Sequence, residues 1–211
     1  ESTHAPGGNN SKVSGYRSGG HSTNVVDKWS FASDGDATDV GDLTVARSYP
    51  SQPGGSSLVH GYTLGGYGPP FYGHNSETHC YAAKNTIIEK VAFASDGNAT
   101  DVGALSTGSA TSGAGQSSQT HGYSSGAEPN SGPHGNVIDK YSFASEGTAS
   151  DVGDLTVGHS NTCGQSSRTY GYCTGGDSTN VIEKFPFASD TNATDVGDIT
   201  QAIGYMSGQH H

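Results

Sequence analysis

The sequence predicts an all-β fold made of four tandem repeats, each with four short strands. Two observations predict it: the composition lacks helix formers, and the same phrases recur along the chain in the same order. Gly occupies 33 of the 211 positions, while charged residues make up 14% and hydrophobic residues 30%. Gly, Ser, Thr, Asn and Asp dominate, which is the composition of strands joined by tight turns.

One phrase of about 21 residues, typical of a strand, a hairpin turn and a second strand, occurs four times. Each copy contains Phe-Ala-Ser followed by Asp-Val-Gly, and a Gly-Tyr phrase precedes each copy. The four copies of the long phrase are Asn24 to Thr44, Asn85 to Ser106, Asn136 to Thr156 and Asn180 to Thr200. The Gly-Tyr phrases begin at Gly15, Gly61, Gly122 and Gly171.

These phrases give the strand order of one unit. The first strand ends in Gly-Gln-Ser-Ser, as at 115–118, and the second runs from Gly-Tyr to the following Gly-Gly pair. The third, Asn-Val-Ile-Asp-Lys, alternates apolar and polar residues as a half-buried strand does. A turn such as Asp34-Gly35 then reverses the chain, because Gly accepts positive φ, and the fourth strand follows. Four antiparallel strands in about 45–50 residues match one β-propeller blade.

The repeats predict one domain, 1–211, with units 1–46, 47–108, 109–158 and 159–200 and a closing strand at 201–211. Residues 201–209 align with 157–165, and residues 1–4 resemble 118–121. We therefore expect the C-terminal segment to supply the first strand that the first unit lacks. Within one chain this closes a four-bladed ring; between chains it produces a head-to-tail polymer.

The repeated wording carries a resemblance to a known family. Gly-Tyr-x-x-Gly-Gly, then Asn-Val-x-Asp-Lys-aromatic (as at 24–29), then a short hairpin, resembles the Kelch repeat of β-propellers over essentially the whole chain. The longer phrase at 137–156 is similar to Kelch-like repeat proteins of marine tailed bacteriophages and aquatic metagenomes. The resemblance implies a virion-surface or other extracellular setting and supplies no catalytic residues.

Charge excludes two classes of partner. The net charge is −11 and Lys plus Arg total 9, so the chain lacks the basic clusters that bind nucleic acid or an anionic membrane surface. Its apolar runs are too short to insert into a membrane. The sequence also has no nucleophile elbow, HExxH motif or phosphate-binding Gly loop, so we expect no enzyme.

The candidate ligand-binding segment is the longest connection between the second and third strands, 67–84. Pro limits its conformational freedom, and exposed aromatic rings can stack on sugars or anchor a partner protein. The alternative is that the connection folds over the blade edge and buries its own rings. The candidate binding residues are Tyr67, Phe71, Tyr72, His74 and Tyr81.

An acidic hairpin is the candidate metal site. Asp34, Asp36, Asp39 and Asp42 lie within nine residues, and hard carboxylate oxygens at such spacing suit Ca²⁺. No other cofactor is expected. Turn formation and solvent-facing carboxylates explain the same pattern, so both interpretations stay open.

Two further modifications are predicted. Cys163 and Cys173 flank a predicted hairpin turn, where facing strands would allow a disulfide; the alternative is two free buried thiols. Asn98 and Asn192 begin Asn-x-Thr sequons at a hairpin turn, where a glycan would be accessible; the alternative is that they serve only as turn residues.

The sequence favours a non-enzymatic extracellular or virion-surface protein that binds a glycan or protein through variable loops on a constant framework. The alternative is a structural subunit that assembles head-to-tail into a fibre. A third hypothesis is a copper oxidase of the galactose-oxidase kind, for which the scattered His and Tyr residues form no recognisable ligand set.

Overall fold

The computed structural model describes residues 6–20, 23–50, 55–68, 83–106, 112–127, 135–176, 179–204 and 208. Within these ranges the chain forms strands and turns and no helix, so the prediction of an all-β tandem repeat is confirmed. The strands are β1 Gly7–Asn10, β2 Ser14–Ser18, β3 Thr23–Ser30, β4 Thr38–Arg47, β5 His60–Leu64, β6 Tyr67–Gly68, β7 Ala83–Lys84, β8 Ile87–Ala92, β9 Thr100–Ala104, β10 Ala114–Ser117, β11 His121–Ser125, β12 Val137–Ser142, β13 Ser150–Asp154, β14 Cys163–Ser166, β15 Tyr170–Thr174, β16 Val181–Pro186 and β17 Thr194–Asp198.

The strands form four antiparallel sheets in chain order, which we call blades. Blade 1 is β1-β2-β3-β4, blade 3 is β10-β11-β12-β13 and blade 4 is β14-β15-β16-β17. Blade 2 is β5-β8-β9, extended on its inner side by the bridge Ser56–Gly61, and β6 pairs with β7 as a separate ribbon. The strands of each blade follow one another in chain order, as predicted, and short connections suffice to join strands in that order.

Successive blades pack face to face and bury a hydrophobic cluster at each interface. Each cluster joins a Tyr and a Leu of one blade to a Phe and an Ala of the next. The Phe ring stacks on the Tyr ring with centroids 4.9–5.0 Å apart, in the pairs Tyr16–Phe93, Tyr62–Phe143 and Tyr123–Phe187. The third strand of an inner blade is therefore covered on both faces, which differs from the half-buried strand expected from its alternation.

The Gly of Asp-Val-Gly is required at these interfaces. A Cβ at Gly103 would lie 1.9 Å from the carbonyl oxygen of Gly147, and a Cβ at Gly41 would lie 2.3 Å from that of Gly97. Both glycines also have positive φ, 154° and 153°. Only glycine lets the two backbones approach so closely.

The glycine of the hairpin turn is less important than the sequence indicated. Gly35, Gly97 and Gly147 occupy it in blades 1 to 3, but blade 4 has Thr191. Thr191 is not among the described non-glycine residues with positive φ. The turn therefore forms without the left-handed backbone that we expected it to need.

The expected origin of the first strand in blade 1 is wrong. Blade 1 contains its own first strand, because Asn9 and Asn10 of β1 pair with Tyr16 and Gly15 of β2. The same register joins Gln116 and Ser117 to the next Gly-Tyr pair in blade 3, so Gly-Asn-Asn is a diverged Gly-Gln-Ser. Residues 1–4 lie outside the described residues.

Gly208, the last described residue of the chain, packs against the inner strand of blade 4, while the closing strand at 201–211 stays a prediction. A Cβ at Gly208 would lie 2.1 Å from the carbonyl oxygen of Gly164, just as one at Gly164 would lie 2.1 Å from that of Gly115. Among the described residues, however, no strand pairing or backbone hydrogen bond joins blade 4 to blade 1. No helix in the described part of the chain could cross a bilayer.

Candidate functional site

The connections of each blade emerge at two opposite ends of its sheet. Because the strands are antiparallel and in chain order, the turns after the first and third strands lie at one end, which we call the turn end. The loops between second and third strands and the links between blades start and finish at the other, the variable end. The four second-to-third connections lie between β2 and β3, β5 and β8, β11 and β12, and β15 and β16.

Lengths differ at the variable end and are constant at the turn end. Six residues, 175–180, separate β15 from β16 at the variable end, whereas the connection from Leu64 to Ile87 holds more than twenty. The third-to-fourth hairpins, in contrast, keep the same seven-residue framework from Phe to Ala in every blade. Sequence variation in this fold is thus concentrated on one end of the sheets.

Tyr67 is held at the root of the longest connection. Its amide donates to the Ser48 carbonyl at 2.7 Å and its carbonyl accepts from the Ser48 amide at 2.9 Å, which ties blade 2 to the end of β4. Its ring contacts Tyr49 edge-on with centroids 6.1 Å apart. The other predicted binding residues, Phe71, Tyr72, His74 and Tyr81, lie outside the described residues.

A buried ion pair supports the variable end between blades 1 and 2. Arg47 and Glu89 are both 0% exposed and form a salt bridge. Arg47 also donates to the Gly65 carbonyl at 2.7 Å, and Glu89 accepts from the Thr44 amide at 2.5 Å. Burial lowers the pKa of Arg47, an effect that the charge of Glu89 opposes. The pair fixes the start of the longest connection against the preceding blade.

The equivalent acid between blades 3 and 4 binds a histidine. His159 Nε2 lies 2.8 Å from Glu183 Oε2 and 3.6 Å from Cys173 Sγ, and all three residues are buried. Glu183 Oε1 accepts from the Thr156 hydroxyl at 2.6 Å. His159 takes the place of Arg47, and its backbone joins the connection at Gly135, whose carbonyl accepts at 3.3 Å.

The ligand atoms of His159, Cys173 and Glu183 lie within 4.8 Å of one another, the one such group among the described residues. Its position matches that of the Arg47 pair, and Glu183 accepts from the Thr156 amide as Glu89 does from Thr44. At 1% exposure His159 is closed to a dissolved substrate. The arrangement therefore acts chemically as an internal ion pair. Burial lowers the pKa of His159, but hydrogen bonds to Cys173 and Glu183 outweigh this and raise it to about 10.

This pair predicts a loss of stability at alkaline pH. The pKa of about 10 lies above the ordinary 6.5 of histidine, so protonated His159 stabilises the fold fully below pH 6.5. The contribution is lost as the pH rises from 6.5 through about 10. We expect the difference in unfolding free energy between wild type and His159→Gln, measured with urea, to shrink across this range. Parallel pH profiles for the two proteins would contradict the assignment.

The acidic hairpin is spread along an exposed edge. Asp34, Asp36 and Asp39 are exposed and Asp42 is partly buried. Asp39 Oδ1 accepts from the amide of Gly41 at 3.1 Å within β4. The hairpin carboxylates do not form a group of three within 4.8 Å. The Ca²⁺ site stays a prediction.

The predicted disulfide is not formed. Cys163 and Cys173 are both free and buried. They lie on paired strands as expected, but Cys163 is opposite Thr174 and Cys173 is opposite Gly164. A one-residue offset sends the two side chains to opposite faces of the hairpin, because side chains alternate along a strand.

The sequon asparagines bind the neighbouring blade. Asn98 Oδ1 accepts from the Asp42 amide at 3.1 Å, and Asn192 Oδ1 accepts from the Asp154 amide at 3.1 Å. Both residues are exposed. Their glycosylation stays a prediction. Their hydrogen bonds between blades were not predicted from the sequons.

The turn end carries a shallow groove of about 260 Å³ between blades 3 and 4. Lys140 and Asp190, which form a 2.8 Å ion pair across the interface, line it together with His121 and Glu146. The same lysine position forms ion pairs at the other two interfaces, so the groove is a product of the repeated packing.

Sequence reasoning missed the buried acids Glu89, Asp139 and Glu183. They occur in every long phrase before Lys, at a position that alternation assigns to solvent. The signal that could have found them is their strict recurrence as Asp or Glu, since a solvent position would tolerate other polar residues.

The fold places the protein in the β-propeller class, as four tandem antiparallel blades with a propeller-like arrangement. Among solved structures it is similar to the one titled "Structure of YjhT", with a TM-score of 0.72 and 11% sequence identity. The match covers 96% of this chain and 67% of that one. At this identity the likeness shows the fold alone. No family model and no curated protein matches the chain.

Proposed function

We propose that this protein is a non-enzymatic binding protein that uses the variable end of its blades to bind a glycan or a protein outside cells, as on a virion surface. The observation that supports it most is the division of the connections between the two ends of the sheets. A constant turn end and a variable end are typical of scaffolds that carry binding loops.

The residues beneath the variable end support the same proposal. The ion pair of Arg47 with Glu89 and the hydrogen bonds between Ser48 and Tyr67 hold both the start of the longest connection and the preceding link. A connection fixed at its root loses less conformational entropy on binding than a free one. The buried pairs thus favour binding without touching the ligand.

The test is a binding assay on the aromatic residues of the longest connection. We expect the triple variant Tyr67→Ala, Phe71→Ala, Tyr72→Ala to lose at least tenfold in affinity on a glycan array or on intact bacterial cells, because aromatic anchors carry most of the binding energy at such surfaces. Far-ultraviolet circular dichroism of the variant checks that the blades still fold.

Tyr170 provides the matched control. It is a tyrosine with 37% exposure at the turn end, beneath the ammonium of Lys184 at 4.7 Å from its ring centroid. Tyr170→Ala removes an exposed ring of the same kind from the opposite end, and binding should be unchanged. Binding that survives the triple variant and is lost in Tyr170→Ala would place the ligand at the turn end.

A further inference from the structure

Every interface between blades repeats the same contacts. The carbonyl of the residue after the Asp-Val-Gly glycine accepts from the amide of an alanine in the next blade, in the pairs Asp42–Ala99 at 2.7 Å, Ala104–Ala149 at 2.7 Å and Asp154–Ala193 at 2.8 Å. A lysine also reaches an acid of the next hairpin, in the pairs Lys28–Asp96 at 2.8 Å, Lys90–Glu146 at 3.0 Å and Lys140–Asp190 at 2.8 Å. These contacts define a leading face on each blade and a trailing face on the blade that follows.

No described residue supplies such a partner for the leading face of blade 4. Val196 is 45% exposed there, whereas its equivalents in the first three blades are packed against the interface clusters. Among the described residues Lys184 forms no salt bridge with a carboxylate, although the three equivalent lysines do. A Cβ at Gly197 would meet nothing within 4 Å, in contrast to the equivalent glycines at the interfaces.

The trailing face of blade 1 is open in the same way. Phe31 is 55% exposed and Trp29 is 39% exposed. Phe31 occupies the position of Phe93, which stacks on Tyr16 inside the protein, and Trp29 that of Val91, which is buried. Large exposed apolar side chains in one patch mark an interaction surface.

We propose that the leading face of blade 4 binds the trailing face of blade 1 in a second copy of this chain, in the register of the internal interfaces. The two faces are complementary in charge at the repeated ion-pair position, since one presents Lys184 and the other presents Asp34 at the position of Asp96. Electrostatic complementarity of this kind sets register and orientation between partners.

The register of the internal interfaces specifies which residues meet across the proposed interface. Phe31 stacks on Tyr172, Lys184 pairs with Asp34, and the Asp198 carbonyl accepts from the Ala37 amide. Asp27, which now pairs with Arg17 at 2.8 Å, accepts from the Thr200 amide as Glu89 does from Thr44. Such a contact is heterologous, so it propagates along a line of copies unless it closes into a ring.

Gly208 must move for this contact between copies to form. Gly208 lies against Gly164 at the place where the incoming blade brings its own inner strand, Gly7–Asn10. The Gly176 amide donates to the Ile203 carbonyl at 3.0 Å, and the same bond joins Gly20 to Arg47 within blade 1. Residues up to Ile203 therefore keep their positions, and Gly208 moves aside.

The experiment uses two full-length variants, each blocking one face. Phe31→Asp blocks the trailing face of blade 1, and Val196→Asp blocks the leading face of blade 4. Both side chains are about half exposed in the free chain, so neither change should lower the thermal midpoint by more than about 2–4 °C. Sedimentation velocity should show concentration-dependent oligomers for wild type and monomers for each variant alone.

An equimolar mixture of the two variants is the decisive sample. The Phe31→Asp chain retains its blade 4 face and the Val196→Asp chain retains its blade 1 face, so the mixture should form 1:1 heterodimers and nothing larger. Dimers in the mixture support the proposal. A wild type that is monomeric at every concentration, or a mixture that stays monomeric, overturns it.

Charge reversal tests the register separately from the apolar contact. Lys184→Asp placed in the Phe31→Asp chain should weaken the heterodimer, and Asp34→Lys in the Val196→Asp chain should restore it. Lys12→Glu, at an exposed lysine of the β1–β2 turn, is the matched control and should leave the affinity unchanged. Weakening without restoration would contradict the pairing of Lys184 with Asp34.

Discussion

Gly103→Ala is expected to destabilise the protein by about 2–6 kcal/mol. The new methyl group would lie 1.9 Å from the carbonyl oxygen of Gly147, so blades 2 and 3 must separate or shift. Overpacking of this kind costs about 1–3 kcal/mol, and a non-glycine residue at the strained φ of 154° costs about 1–3 kcal/mol more. Urea unfolding followed by circular dichroism measures the sum.

Gly197→Ala separates the two costs. Gly197 has a similar φ of 143°, but a Cβ there would meet nothing within 4 Å. We expect this variant to lose only the backbone contribution, about 1–3 kcal/mol. Equal losses at Gly103 and Gly197 would show that the close approach of the blades has no energetic weight.

Glu89→Ala is expected to cost about 3–5 kcal/mol, because it leaves the guanidinium of Arg47 buried without a counter-charge. Both side chains are completely buried, so water cannot replace the carboxylate without opening the interface between blades 1 and 2. The thermal or urea midpoint of the purified variant measures the loss.

Asp27→Ala is the matched control, at the same repeat position in blade 1. Asp27 is 24% exposed and pairs with Arg17, itself 30% exposed, so water screens the charge that is left behind. We expect a loss below about 1 kcal/mol. The double variant Arg47→Met, Glu89→Met should recover much of the stability of Glu89→Ala, since apolar replacements of a buried pair are often tolerated. A Glu89→Ala variant as stable as Asp27→Ala would contradict the buried-pair account.

The four-unit framework could be predicted because local sequence patterns determine it. Alternation in residues such as 137–142, turn residues and fixed spacing each act over a few positions, and the strands formed where these patterns placed them. The first strand of blade 1 was missed because Gly8-Asn9-Asn10 keeps only the glycine of the repeated phrase, and its identity depends on pairing with β2.

The contacts between blades could not be predicted in the same way. Whether Glu89 faces water or Arg47 depends on a neighbouring blade more than forty residues away in sequence. The offset that separates Cys163 from Cys173 is a difference of one residue in register, which hairpin length alone does not fix. The predicted binding residue that the structure describes, Tyr67, is placed by its bonds to Ser48, which also belongs to another blade.

The buried acid at each interface differs in length and partner: Glu89 with Arg47, Asp139 with Ser106, and Glu183 with His159. The two glutamates pair with charged side chains, whereas the shorter Asp139 accepts from the hydroxyl and the amide of Ser106. Transplanting a unit to another position by recombination would mismatch this pair. The order of the units along the chain is therefore under physical constraint.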